Sequence, residues 1–138
     1  MGGELNKAGV KLMAGTDFAC PFVFPGFSLH DELILLNRAG LSTMQTLQAA
    51  TLNPAKFLGL ADTRGTIEKG KIADLVVLDA NPLDDIANTK AIAGVVLRGR
   101  YFSKSELQTL LDQVAASVLR IPAVAYKASP RQTIHPRT

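Results

Sequence analysis

The run Val10-Lys11-Leu12-Met13-Ala14-Gly15-Thr16-Asp17 decides how the rest of the chain is read. It is a short apolar stretch that stops abruptly at Gly-Thr-Asp, the pattern of a buried strand with a carboxylate at its C-terminal tip. Open α/β sheets and barrels place their chemistry at such tips. Just upstream, Leu5 and Ala8 have helical spacing and Gly9 stands where a helix-ending glycine belongs. Residues 4–9 therefore read as the end of a helix. A helix end, a glycine and then a buried strand make the αβ step of a parallel βαβ unit. Met1 opens inside that helix, so the chain is expected to begin at an internal point of a larger fold.

Downstream of Asp17, Phe18, Phe22, Phe24 and Phe27 crowd a stretch that Pro21, Pro25 and Gly26 keep from being helical. Two readings stay open for it. The rings line an apolar substrate pocket above the strand tip, or the loop packs on its own scaffold. Ser28 then serves as N-cap with Asp31 at N3, opening a helix with Leu29, Leu33 and Leu36 on one stripe and Gly40 at its end. His30 falls in the first turn, on the side of the fold that carries the strand tip. Ser42-Thr43-Met44-Gln45 is a capping box for a second helix. Asn53-Pro54 pairs an N-cap residue with proline at N1 for a third, which Gly59 ends.

At Thr63 the period changes from helix to strand. Short β-rich runs are expected within 65–71, over 73–78 and over 92–97, with a hairpin at Arg98-Gly99 into Arg100-Tyr101-Phe102. These few strands cannot close a barrel and read as part of a small sheet or sandwich. Asp74 is expected to order a turn in it. Ser103-Lys104-Ser105-Glu106 is a further capping box, opening a helix with Leu107, Leu110, Leu111, Val114 and Val118 on one stripe. From Arg120 onward, Pro122, Pro130 and Pro136 mark an extended tail.

Length and composition narrow the classes. A chain of 138 residues is too short for a complete α/β barrel, while 47% hydrophobic and 20% charged residues exclude global disorder. No apolar run reaches the roughly 20 residues needed to span a bilayer, and no signal peptide is expected at Met1-Gly2-Gly3. The lone Cys20 excludes an internal disulfide framework and fits a reducing, cytoplasmic setting. The net charge of +3 comes from the tail, where Arg120, Lys127, Arg131 and Arg137 meet no acidic residue. Without those four, eleven basic residues face twelve acidic ones. Nucleic-acid binding would rest on the tail alone and is not favoured.

Taken together, the pieces Ala8-Gly9-Val10, Ala14-Gly15-Thr16-Asp17, Ser28 to Leu33, Ala39 to Ser42, Ala50 to Ala55 and Gly65 to Asp79 with Asn81-Pro82-Leu83 form an ordered set. The most specific is the G-x-I-x-x-G-K-x-A-D-L-V-V-L-D run. Over residues 4–102 the chain resembles the C-terminal part of the metal-dependent amidohydrolase superfamily, and most of all its imidazolonepropionase and prolidase-like members. The resemblance implies an α/β fold: the last strand and helices of a TIM-like (β/α)₈ metallo-hydrolase barrel over residues 1–61, and part of a small composite β-sandwich domain over 62–102. Residues 103–138 would be a C-terminal helix and basic tail.

The resemblance also implies a divalent metal, usually zinc, held by an H-x-H on the first strand, a carboxylate or carbamylated lysine on the fourth, histidines on the fifth and sixth, and an Asp on the eighth. Asp17 falls on the last of these positions. It would be both metal ligand and general base on the metal-bound water, cleaving a carbon–nitrogen bond in a small-molecule substrate. Taken alone, Asp17 reads as a strand-end residue capping its loop; the surrounding match changes that. His30, Cys20 and Phe18 are the candidate substrate-binding residues. The chain departs from the pattern in having only His30 and His135 and no H-x-H. A catalytic zinc needs about three protein ligands, so these 138 residues alone are expected to bind no metal and to be inactive. The competing expectation is a catalytically inactive piece that self-associates as a homo-oligomer or complements a missing N-terminal part.

Overall fold

The computed structural model describes residues 2–17 and 21–119. In order, the elements are helix α1 (Gly2–Lys7), α2 (Phe27–Arg38), α3 (Thr43–Ala50), α4 (Leu52–Phe57), strand β1 (Leu75–Leu78), a 3₁₀ turn (Ile86–Lys90), β2 (Ile92–Leu97), β3 (Arg100–Ser103) and α5 (Lys104–Leu119). The extended tail, with His135, lies outside the described residues. The result is a mixed α/β arrangement in which a helical layer sits beside a small antiparallel sheet.

Three helices end in the same way, and the sequence dictates it. After α1, Gly9 has φ 82, its N–H donates to Asn6 O, and Val10 N–H reaches back to Leu5 O. Gly40 and Leu41 do the same after α2, and Gly59 and Leu60 after α4. These are Schellman motifs, which need a left-handed residue at C′ and so favour glycine. Leu41, delivered by the second of them, is only 3% exposed.

The starts follow expectation less evenly. The Ser42 box is complete, with Ser42 Oγ accepting from Gln45 N–H and Gln45 Oε1 accepting from Ser42 N–H. The Ser103 box is complete as well, Glu106 Oε2 accepting Ser103 N–H at 2.8 Å. Helix α2, however, begins one residue before Ser28, with Gly26 at N-cap (φ 79), and Ser28 Oγ instead accepts the N–H of Phe24 in the preceding loop. Helix α4 begins at Leu52, which moves Asn53 inside the first turn and frees its side chain for another partner.

The sheet has the order β1-β2-β3, antiparallel throughout, with a bulge between Val77 and Leu78. Arg98 and Gly99 close the β2–β3 hairpin with φ 50 and 82, the mirror-image turn that suits strand twist. Asp74 does order this region: its Oδ1 accepts the N–H of Arg98 at 2.8 Å. Residues 65–71 form no strand. They are a turn held by side chains, Thr66 donating to Glu68, and Lys71 to Thr66.

The core lies among α2, α3, α4 and the 3₁₀ turn. Leu33, Leu41, Ala49, Ala55 and Ile86 are buried, and Thr46 and Thr89 join them with their hydroxyls donated to Ser42 O and Ile86 O. Glycine allows close approach between neighbouring segments. A Cβ on Gly3 would stand 2.4 Å from Ala39 O, and one on Gly65 would stand 2.6 Å from Ala55 Cβ.

The Val10–Asp17 run departs from expectation in its setting. It is extended but pairs with no strand among the described residues. A parallel strand draws its hydrogen bonds from neighbours on both sides, and the one sheet described is small, antiparallel and built from other residues. Val10 and Met13 are 45% and 43% exposed, where a central barrel strand would be buried.

Candidate functional site

Without a sheet, the Val10–Asp17 run is fixed by the helices beneath it. Asn53 Nδ2 on α4 donates to Leu12 O at 2.8 Å. Ala14 N–H donates to Ala49 O, the end of α3, at 2.9 Å. Gly15 N–H donates to Glu32 Oε1 on α2 at 2.7 Å. Three helices thus each take one backbone group of the run, in order, and the third of these bonds lies two residues before Asp17. Asp17 itself is exposed and left-handed, with φ 52, a conformation that Asp tolerates better than most residues.

His30 lies on α2, two residues before Glu32. Its Nδ1 lies 3.1 Å from Thr89 Oγ1, whose single proton is already given to Ile86 O. The imidazole must therefore be the donor, which leaves Nε2 with the lone pair in the neutral ring. Partial burial lowers the His30 pKa below 6.5; the Lys90 ammonium adds to this, and Asp31 opposes it. Lys90 in turn pairs with Asp31 at 2.6 Å. His30 and Lys90 border an apolar groove of about 560 Å³ between the start of α2, β2 and α5, lined by Phe27, Ile92, Val95, Leu107, Leu111 and Val114 among others. Asp17 is not among its lining residues.

Of the expected site residues, His30 lines this groove and Asp17 does not. Asp17 is at the end of the clamped run, His30 is at the groove, and Phe18 and Cys20 lie outside the described residues. Of the loop's other aromatic rings, Phe27 lines the groove, while Phe22 and Phe24 are 92% and 63% exposed. A carboxylate such as that of Asp17 is a suitable donor to a hard divalent ion. One carboxylate is not a site, and among the described residues no three His, Cys, Asp or Glu side chains come together to hold a metal. These residues alone do not fit a catalytic zinc.

Two residues that shape the region carry a signal that is easy to misread. Glu32 sits at i+3 from Leu29 and i−4 from Leu36, on the edge of the apolar stripe rather than with the solvated charges. Asn53 precedes a proline and so imitates an N-cap. Each is used for tertiary contact with the Val10–Asp17 run.

Comparison with known proteins gives this geometry a family. The model of the amidohydrolase family matches residues 3–101. Imidazolonepropionase of Thermoplasma acidophilum is 47% identical over 60 residues, which cover 44% of this chain and 14% of that protein. Imidazolonepropionase of Pseudomonas savastanoi is 37% identical over 87 residues, covering 60% of this chain and 21% of that one. Among solved structures, a Xaa-Pro dipeptidase with methionine bound in its active site superposes with a TM-score of 0.66 at 30% identity, covering 74% of this chain and 24% of the dipeptidase. The chain thus spans about a quarter or less of each of these proteins. Among the described residues, no helix is long and apolar enough to cross a membrane. With the family model matching residues 3–101, well over half of its length, the chain belongs to the amidohydrolase family.

Proposed function

We propose that these residues are the C-terminal part of a metal-dependent hydrolase that cleaves a carbon–nitrogen bond in a small amide, cyclic amide or peptide-like substrate. The observation that carries this reading is the family match over residues 3–101, which includes the Gly15-Thr16-Asp17 tip. In this reading the Val10–Asp17 run is the last strand of a TIM-like barrel. Its missing hydrogen-bond partners are barrel strands outside these 138 residues. The β1–β3 sheet is part of a composite sandwich domain, and the lone Cys20 suits a reducing, cytoplasmic setting.

A divalent ion, zinc by the chemistry of the class, would be held by Asp17 together with ligands from the rest of the barrel. Such an ion supplies a water of lowered pKa and a polarised carbonyl. Asp17 would take the proton of the attacking water and pass it to the leaving amine, while His30, Cys20 and Phe18 would face the substrate. The exposure of Asp17 at the end of the run supports the first role, because an exposed carboxylate is accessible to an ion and its water.

The test is metal content and hydrolysis of cyclic amides and proline dipeptides by the full-length protein and by its Asp17→Asn variant. The reading expects bound metal in the parent and a fall in kcat of about 10²–10⁴-fold in the variant. A full-length protein without metal, or a variant with undiminished kcat, refutes it.

A further inference from the structure

We propose that Glu32 is the positioning residue for Asp17, acting through the backbone of Gly15. The inference rests on the functional reading of Asp17 given above and on two observations at Glu32. Its Oε1 accepts the Gly15 N–H at 2.7 Å, across seventeen residues of sequence. Its Oε2 is buried and has no hydrogen-bond partner among the described residues. Burying a carboxylate oxygen without a partner is costly, and a rotation of the side chain toward water would relieve it. The side chain stays, with one oxygen committed to a single backbone amide.

The choice of residue follows from the task. A backbone N–H given to a carboxylate makes a shorter and stronger bond than one given to a neutral oxygen. Leu12 and Ala14 are tied upstream by Asn53 and Ala49; of the three ties, that of Glu32 is nearest the tip. Gly15 has no side chain to pack and nothing within 4 Å of where a Cβ would be, so packing cannot hold it. Without the Glu32 bond, Gly15 loses this hold and the backbone leading into Asp17 gains freedom at that point. A shift of about 1 Å at a reacting group can cost on the order of 10²-fold in rate. Glu32 touches the run and not the reacting atoms, so its effect is geometric.

The experiment compares Glu32→Ala and Glu32→Gln, with Asp31→Ala as a neighbouring control that loses the exposed pair with Lys90 and leaves the Gly15 bond in place. Amide exchange at Gly15 is read in the 138-residue chain, and kcat and KM in the full-length protein. Glu32→Gln keeps an acceptor oxygen and should preserve Gly15 protection, with kcat within about fivefold of the parent. Glu32→Ala should lose that protection and lower kcat by about 10²-fold with KM changed less than about threefold, the mark of lost alignment rather than lost binding. The proposal is overturned if Glu32→Ala retains Gly15 protection and kcat, or if Gln and Ala lower kcat equally. Asp17→Asn measured alongside separates the two ideas. Unchanged activity in that variant refutes the role of Asp17, whereas exchange at Gly15 reports the hold of Glu32 on the backbone whichever way that result falls.

Discussion

His30 shows how much a single contact fixes. Because Thr89 Oγ1 gives its only proton to Ile86 O, it can accept only from an Nδ1–H of His30, so the ring is locked as a donor toward the core. Burial and the Lys90 charge both penalise the imidazolium and outweigh Asp31. The folded pKa therefore lies below 6.5, and the unfolded chain binds the proton first. The contribution of His30 to stability is complete above pH 6.5 and declines as pH falls from there toward the folded pKa. Thermal melting should show a fall in Tm between about pH 7 and pH 5.5 that is flatter in His30→Gln. An equal slope in both proteins would show that His30 is not the group that titrates. The same residue shows what sequence could and could not say. Its place in the first turn of a helix beside the Phe-rich loop was legible from Ser28-Leu29-His30 and the leucine stripe. Its partner was not, since Thr89 lies 59 residues away in a 3₁₀ turn whose only local signal is the Asp85 cap.

At the scale of elements, the readable features are those whose determinants lie within a few residues. Gly9, Gly40 and Gly59 end their helices, Ser42 and Ser103 open theirs, and Arg98-Gly99 turns the hairpin because each closes its own hydrogen bonds locally. Ser28 and Asn53 mislead for the converse reason. Each has cap chemistry, yet its side chain is used by a loop or by the distant Val10–Asp17 run. That run has the composition of a strand, but a strand exists only with its partners, and none is among the described residues. Two substitutions test the local account. Ser103→Ala removes the hydroxyl that accepts Glu106 N–H and should cost about 1 kcal/mol, measured by urea unfolding. Glu106, held below the ordinary carboxylate range mainly by the Ser103 N–H and then by its hydroxyl, should keep its arm of the box until pH falls through that lowered value. Gly65→Ala is the harsher change. It puts a methyl 2.6 Å from Ala55 Cβ at a residue with φ 94, and should cost about 3 kcal/mol through crowding and backbone strain together. A Gly65→Ala protein as stable as the parent would mean that the 65–71 turn moves freely against α4.

For the molecule as a whole, the balance of buried and exposed apolar surface carries the argument. The buried core is small, while Phe27, Leu110, Leu111 and Val114 around the groove are 63%, 47%, 46% and 61% exposed, as are Val10 and Met13 on the run at 45% and 43%. Soluble monomers seldom leave contiguous apolar surface of this kind uncovered. The stripe on α5 packs toward β2 and β3, and its Leu107, Leu110, Leu111 and Val114 line the groove that α5 shares with β2. The sheet adds to this, since β1 (Leu75–Leu78) and β3 are both edges and Val76 and Val77 on β1 are 57% and 43% exposed. The isolated 138-residue chain should therefore self-associate. Sedimentation velocity should show a mass average rising with concentration up to about 100 µM. Replacing Leu110 and Val114 together by lysine, at exposed helix positions where lysine has good helix propensity, should return the chain toward monomer without reducing helicity by circular dichroism. Association that persists in the double variant would move the contact from α5 to the β1 edge, and a compact monomer of the parent at every concentration would show that these apolar faces are covered within the chain itself.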